Sequence, residues 1–274
     1  MIQHLPALLP ALALLAAPLV AAAVDGIPLH FTAAGKGPAT VIFVHGWTCD
    51  ETSWSEQVPA LEARYRAVTV DLPGHGRSGS PADGKFSMDL FARAVEAVRA
   101  EVGAERVVLV GHSMGTPVIV QYARLYPRRV AAMVFAEGVV TLGANLGHKP
   151  DTARMKGPDG LKIREANTRG MLSASTTPEL QRKIIGMMQA APASTAAGAM
   201  EAMYDPAIWK NDAIALPVLA IYAENSTLAS RVLMHRQYPN LEYVEIPGTG
   251  HFPMLEKPAE FNRLLLEFLG RQKF

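Results

Sequence analysis

Ser113 stands at the centre of Gly111-His112-Ser113-Met114-Gly115, and the residues on either side decide what it could do. The stretch from Arg106 to Val110 contains an apolar run without alternation, the pattern of a strand buried on both faces. From Met114 to Tyr126 the positions Val118, Ile119, Tyr122 and Leu125 follow a helical period, which predicts a helix opening just after the serine. A strand that turns sharply into a helix needs residues without a Cβ at the turn, and a glycine stands on each side of the serine. Pro117 falls in the first helical turn, where its missing N–H would have had no partner anyway. Such a turn exposes a hydroxyl beside unpaired N–H groups at a helix N-terminus, where negative charge is stabilised. The chemistry suited to it is nucleophilic attack on an acyl carbon. The bland alternative is a turn built from small residues.

The stretch resembles the nucleophile turn of the α/β-hydrolases. Three further stretches resemble motifs of that family: His45-Gly46-Trp47 after the apolar run 40–44, Asp71-Leu72-Pro73-Gly74-His75-Gly76-Arg77-Ser78, and Gly250-His251-Phe252-Pro253. The resemblance runs from about Val24 to the C-terminus and is weakest between Thr141 and Asp212. It implies a catalytic triad in the chain order serine, acid, histidine, with His251 as the base. It also implies an oxyanion hole made by the backbone amides of Trp47 and Met114. His45 and His112 match positions that shape the loops around that hole, and His75 is expected to be structural. Dehalogenases and epoxide hydrolases of this fold resemble one another in using an Asp nucleophile, so Ser113 points away from them.

The acid departs from the family pattern. The usual carboxylate follows the strand matched here by 218–223, where this chain reads Ala223-Glu224-Asn225-Ser226, with serine at the expected Asp position. Some members instead place the acid after the strand that follows the nucleophile helix, and Glu137 occupies that place. A carboxylate directly after a buried apolar strand is costly unless it is paired. Glu137 is therefore the expected acid, with Glu224 as the alternative and a triad without a carboxylate as a third reading. Asp71 also follows a strand, but a Pro-Gly turn held by a structural Asp accounts for it.

These residues need a scaffold, and the pattern supplies one. A hairpin over 24–31 turns at Asp25-Gly26. Strands are predicted at 40–44, 67–71, 106–110, 131–136, 218–223 and 242–246. Helices are predicted at 52–64, 87–102 (with Ser87 as N-cap), 114–126 and 258–269. The alternation predicts an α/β fold, a mainly parallel twisted sheet with helices on both faces. Ligands bind such sheets at the carboxyl ends of the strands, and Trp47, Ser113 and Glu137 all lie just past strand ends. Between 141 and 212 strand signals vanish and helical segments take over at 161–169, 178–189 and 194–204. That stretch reads as an inserted helical cap. It holds Met155, Met171, Met187, Met188, Met200 and Met203, which suit either an adaptable wall over a substrate or the core of a small subdomain. The expected organisation is a leader over 1–23, core over 24–140, cap over 141–212 and core over 213–274.

Composition narrows the partners. The net charge is +1 with no basic run, which argues against nucleic acid. Cys49 is the only cysteine, so no intrachain disulfide and no cysteine-based zinc site can form. The histidines are scattered with no metalloprotease spacing, and no metal or cofactor is expected. Residues 5–23 form an uncharged Leu/Ala-rich run ending in Ala21-Ala22-Ala23, which resembles a secretory signal peptide cleaved after Ala23. Pro6, Pro10 and Pro18 disfavour an uncleaved spanning anchor. The expectation is a periplasmic or secreted serine hydrolase cleaving a small apolar carboxylic ester or thioester through an acyl-enzyme on Ser113, without stable membrane insertion once the leader is removed. Lactonases, carbon–carbon hydrolases and perhydrolases share the same triad. From another class, the fold also hosts non-catalytic binding proteins.

Overall fold

Why the candidate residues meet is settled by the order in which the strands are laid down. A computed structural model describes residues 22–140, 151–228 and 230–272. Its chain runs β1 (Ala23–Val24), β2 (Ile27–Pro28), β3 (Phe31–Ala34), β4 (Thr40–Val44), α1 (Val58–Leu61), β5 (Arg66–Val70), α2 (Met88–Glu101), β6 (Val107–His112), α3 (Gly115–Leu125) and β7 (Val130–Ala136). Four helices follow, α4 (Thr152–Lys156), α5 (Gly160–Met171), α6 (Pro178–Ala190) and α7 (Ala193–Met203). The chain closes with β8 (Val218–Ala223), α8 (Arg231–Gln237), β9 (Leu241–Ile246), α9 (Pro253–Glu256) and α10 (Pro258–Gly270).

Seven strands form one sheet in the order β3-β5-β4-β6-β7-β8-β9. All neighbours are parallel except β3, which pairs antiparallel with β5 at the edge. From β4 the chain moves to one side to make β5, then crosses back to lay β6 on the other flank of β4. The loops leaving β4 and β6 therefore diverge and open a crevice at the carboxyl ends of those two strands. Every residue of β4, β6 and β7 is buried, as expected of strands covered on both faces. Right-handed crossovers put α2 and α3 on one face. On the other face, Trp54 meets Phe261 of α10 with ring centroids 6.5 Å apart, and Gln57 Nε2 donates to Asn262 Oδ1.

Several boundaries differ from the sequence expectation. The hairpin is shorter, β1 against β2, because Pro28 has no N–H to continue a ladder and the chain leaves to join β5 as β3. The helix expected over 52–64 is broken into a 3-10 turn (Glu51–Trp54) and α1, since Pro59 has no N–H to bond back to the Ser55 carbonyl and is tolerated only in the first turn of a new helix. Ser87 caps α2 as expected, its hydroxyl accepting from the Leu90 N–H at 3.0 Å. The leader falls outside the described residues except for its last two, and Ala22 O accepts from Leu29 N–H at 2.8 Å. Helices α4 to α7 stand between β7 and β8 as the helical insert; residues 141–150 of the expected cap also lie outside the described set. Among the described residues no helix is long and apolar enough to cross a membrane.

Candidate active site

Ser113 sits between β6 and α3 with φ +50°, a left-handed conformation that a residue with a Cβ rarely adopts. Hydrogen bonds hold it there: its N–H donates to Ala136 O at 3.0 Å, and its carbonyl accepts from Thr116 N–H at 3.0 Å and Val139 N–H at 3.3 Å. The flanking glycines are enforced by contact. A Cβ on Gly111 would lie 2.6 Å from Gly115 O, and one on Gly115 would drive into Val44 O. Gly46 is equally constrained, since a Cβ there would come within 3.1 Å of the Ser113 Cβ. The loop after β4 thus lies directly against the serine, bringing the Trp47 and Met114 segments to its two sides. Among the described residues neither the Trp47 nor the Met114 N–H donates to a protein acceptor, which leaves both free for an oxyanion.

Two buried histidines shape these loops. His45 donates from Nδ1 to Gly46 O at 2.8 Å and accepts at Nε2 from Leu72 N–H at 3.1 Å, tying the loop after β4 to the turn after β5. His112 reaches the other way, its Nε2 donating to His251 O at 2.7 Å. Burial lowers the pKa of both and pushes that of His112 well down. Neither is placed to act as base: each carries a fixed structural bond. His75 donates to Pro73 O at 3.1 Å, and burial pushes its pKa down to about 3. Asp71 accepts from the Glu51 N–H at 2.8 Å and the Arg77 N–H at 2.9 Å, so its carboxylate organises a turn.

His251 follows β9, and its ring meets a carboxylate. Nδ1 lies 3.2 Å from Glu137 Oε2, with Glu137 buried and His251 partly so. Glu137 also has positive φ, +47°, which swings its side chain off the end of β7 toward β8. Oε1 accepts from Ala223 N–H at 2.6 Å, and Oε2 is shared between His251 and the Ser226 hydroxyl at 3.2 Å. Ser226, the residue at the family's acid position, therefore supports the carboxylate that comes from the neighbouring strand. Sequence reasoning saw in Ser226 only a missing Asp; a hydroxyl one strand over from a buried Glu was the available signal. Glu224 is exposed, with no hydrogen bond or ion pair among the described residues.

Ser113, Glu137 and His251 line one cavity of about 490 Å³ together with Trp47 and Glu224. Among the described residues the Ser113 hydroxyl makes no hydrogen bond to His251; the two share the cavity lining. Met171, Leu172, Met200 and Met203 from the helical insert form the apolar wall, with Val139 and Leu228 beside them. Among the described lining residues there is no Lys or Arg. The insert's methionines divide: Met171, Met200 and Met203 face the cavity, Met155 and Met188 are buried, and Met187 Sδ accepts from Ser53 Oγ at 3.4 Å. Trp47 itself is buried and donates from Nε1 to Ala196 O of α7 at 2.7 Å. Among the described residues no cluster of His, Cys, Asp or Glu could hold a metal ion.

Comparison with known proteins agrees with this architecture. A thermophilic esterase from Thermogutta terrifontis superposes with TM-score 0.79 at 26% identity, covering 92% of this chain and 96% of that one. A bromoperoxidase from Bacillus anthracis gives TM-score 0.79 at 25% identity, covering 89% and 96%. In sequence, bifunctional epoxide hydrolase 2 of Sus scrofa is 24% identical over 89% of this chain, which spans 53% of that protein's length. Three different chemistries are carried by one scaffold, so these likenesses speak to fold before reaction. The family model for the alpha/beta hydrolase fold matches residues 39–258, and the chain belongs to that family.

Proposed function

We propose that the protein is a serine hydrolase of small, uncharged, apolar carboxylic esters or thioesters. The observation that carries the reading is the Glu137–His251 contact at 3.2 Å, opening with Ser113 into one cavity. Glu137 fixes the proton of His251 on Nδ1, which leaves Nε2 as the basic nitrogen. Ser113 Oγ attacks the acyl carbon as its proton passes to Nε2, and the carbonyl electrons move onto oxygen, held by the Trp47 and Met114 amides. Collapse expels the alcohol or thiol, which takes the proton from His251. Water then repeats the sequence on the acyl-enzyme and releases the acid. Glu137 orients the ring throughout and stabilises the imidazolium.

The methionine and leucine wall supports an apolar acyl group, and the Glu224 carboxylate, with no cation among the described lining residues, disfavours a carboxylate-bearing one. A fluorophosphonate probe should label wild type and not Ser113→Ala, and p-nitrophenyl esters of graded chain length should be hydrolysed only by wild type. An unlabelled wild type would favour a binding protein on the same fold. The reading includes export, on the strength of the apolar run over 5–23. Protein recovered from an exporting bacterium should begin near Val24, and intact Met1 on that material would refute this part.

A further inference from the structure

The loop that carries His251 and the loop that ends α5 are joined edge to edge. His251 N–H donates to Met171 O at 2.8 Å, and Ser175 Oγ donates to Gly248 O at 2.9 Å. One carboxylate bridges the two loops. Glu256, the last residue of α9, accepts at Oε1 from the Ser173 N–H at 3.2 Å and from the Thr176 hydroxyl, and at Oε2 from the Gly250 N–H. No cation pairs with it among the described residues; its charge is met by two amides and a hydroxyl. The loops are in backbone contact, since a Cβ on Gly250 would lie 2.6 Å from both Met171 O and Ser173 N. Residues 170–173 are cavity wall and His251 is the base of the reading above, so both attachments of Glu256 end in the site.

We propose that Glu256 is a positioning residue that locks the substrate wall at 171–173 to the His251 loop, so that acyl-group fit and base placement are set by one clamp. This rests on His251 acting as the base. An ester seated against Met171 and Leu172 bears on the same hydrogen-bonded unit that orients the imidazole. Displacing such a group by about 1 Å costs on the order of 10²-fold in rate. Glu256→Gln keeps one acceptor oxygen for Gly250 but presents an NH₂ to the Ser173 N–H, so it preserves half the clamp. Glu256→Ala removes all of it.

The test has one arm that reads the clamp and one that reads catalysis. Hydrogen–deuterium exchange on Glu256→Ala should show amides at 171–176 and 248–251 opening together, with the sheet amides unchanged. Rates, normalised to fluorophosphonate-titrated Ser113, should show kcat down about 10²-fold for acetate and longer esters alike, with KM raised only for the longer acyl chains. Glu256→Gln should recover part of both. Gly250→Ala, which pushes the loops apart from the other side, should be non-additive with Glu256→Ala. Independent opening of the two loops overturns the clamp whether or not the protein is active. A lowered melting temperature with kcat and KM unchanged overturns the positioning role. Failure of wild type to label with the probe, beside coupled exchange, would instead sink the hydrolase reading and leave the clamp standing.

Discussion

Glu137→Gln is the sharpest test of the triad, because the hydrogen-bond inventory around that carboxylate fixes what an amide can do there. Three donors converge on it: the Ala223 N–H at 2.6 Å, the Ser226 hydroxyl at 3.2 Å and His251 Nδ1 at 3.2 Å. Glutamine offers one accepting oxygen and one donating NH₂. The Ala223 amide is a fixed backbone donor, so it claims the oxygen, and the NH₂ faces Ser226 and His251. Ser226 can rotate its hydroxyl to accept. His251 can respond only by moving its proton to Nε2, the tautomer that cannot take the Ser113 proton. Nothing changes size, so the fold should survive. Loss of the triad acid with geometry intact costs on the order of 10⁴ in kcat, or about 5 kcal/mol of transition-state stabilisation at about 1.36 kcal/mol per decade. The assay is kcat on a short p-nitrophenyl ester, normalised to probe-titrated Ser113, with circular dichroism to verify folding. A loss smaller than tenfold would refute the assignment of Glu137, and an equal loss in Glu224→Gln would transfer the role.

Other outcomes follow from the same geometry. Ser226→Ala removes one donor from Glu137 but leaves Ala223 and His251 in place, so kcat should stay within about tenfold while urea denaturation shows about 1 kcal/mol lost. Glu224 is an exposed charge on the cavity rim; Glu224→Lys should raise kcat/KM for a carboxylate-bearing ester relative to a neutral one by about fivefold, the worth of about 1 kcal/mol, and added salt should erase the gain. His45, His75 and His112 are held neutral by burial, with His75 down at about 3. Their folded-state values are depressed, so their contribution to stability is present above an unfolded pKa near 6.5 and lost as pH falls below it. His75, at about 3 in the folded chain, alone removes up to about 1.4 kcal/mol per pH unit below 6.5, so urea midpoints should fall between pH 7 and 5. A flat profile would mean that these rings are charged or hydrated in the folded state.

Much of this site was legible because its parts are local. Gly111, Ser113, Gly115 and Pro117 encode a strand, a turn and a helix within a few residues, and each glycine sits where a side chain has no room. Burial without alternation made β4, β6 and β7 readable for the same reason. What escaped was either short or non-local. Helix α8 buries only Met234 and Gln237, and α9 has four residues beginning at Pro253, too few for a period to emerge. The role of Glu256 depends on partners eighty residues upstream, and the Ser226 hydroxyl matters only because the Glu137 backbone turns left-handed and sends the carboxylate across to β8. No spacing rule encodes a contact between two loops.

Trp47 fastens the roof to the machinery beneath it. Its indole N–H holds Ala196 O on α7 at 2.7 Å, while its own backbone N–H is one of the two proposed for the oxyanion. Swinging α7 outward would pull on the stretch of chain that carries that amide, so an open roof would be an idle one. With the roof down, the exposed part of the described cavity lining lies at Gly170, Glu224, Asn225 and Thr227. On the proposed function, that rim would be a sieve ahead of the chemistry. An ester too broad to pass it would turn over slowly, however well its acyl chain suited the methionines inside.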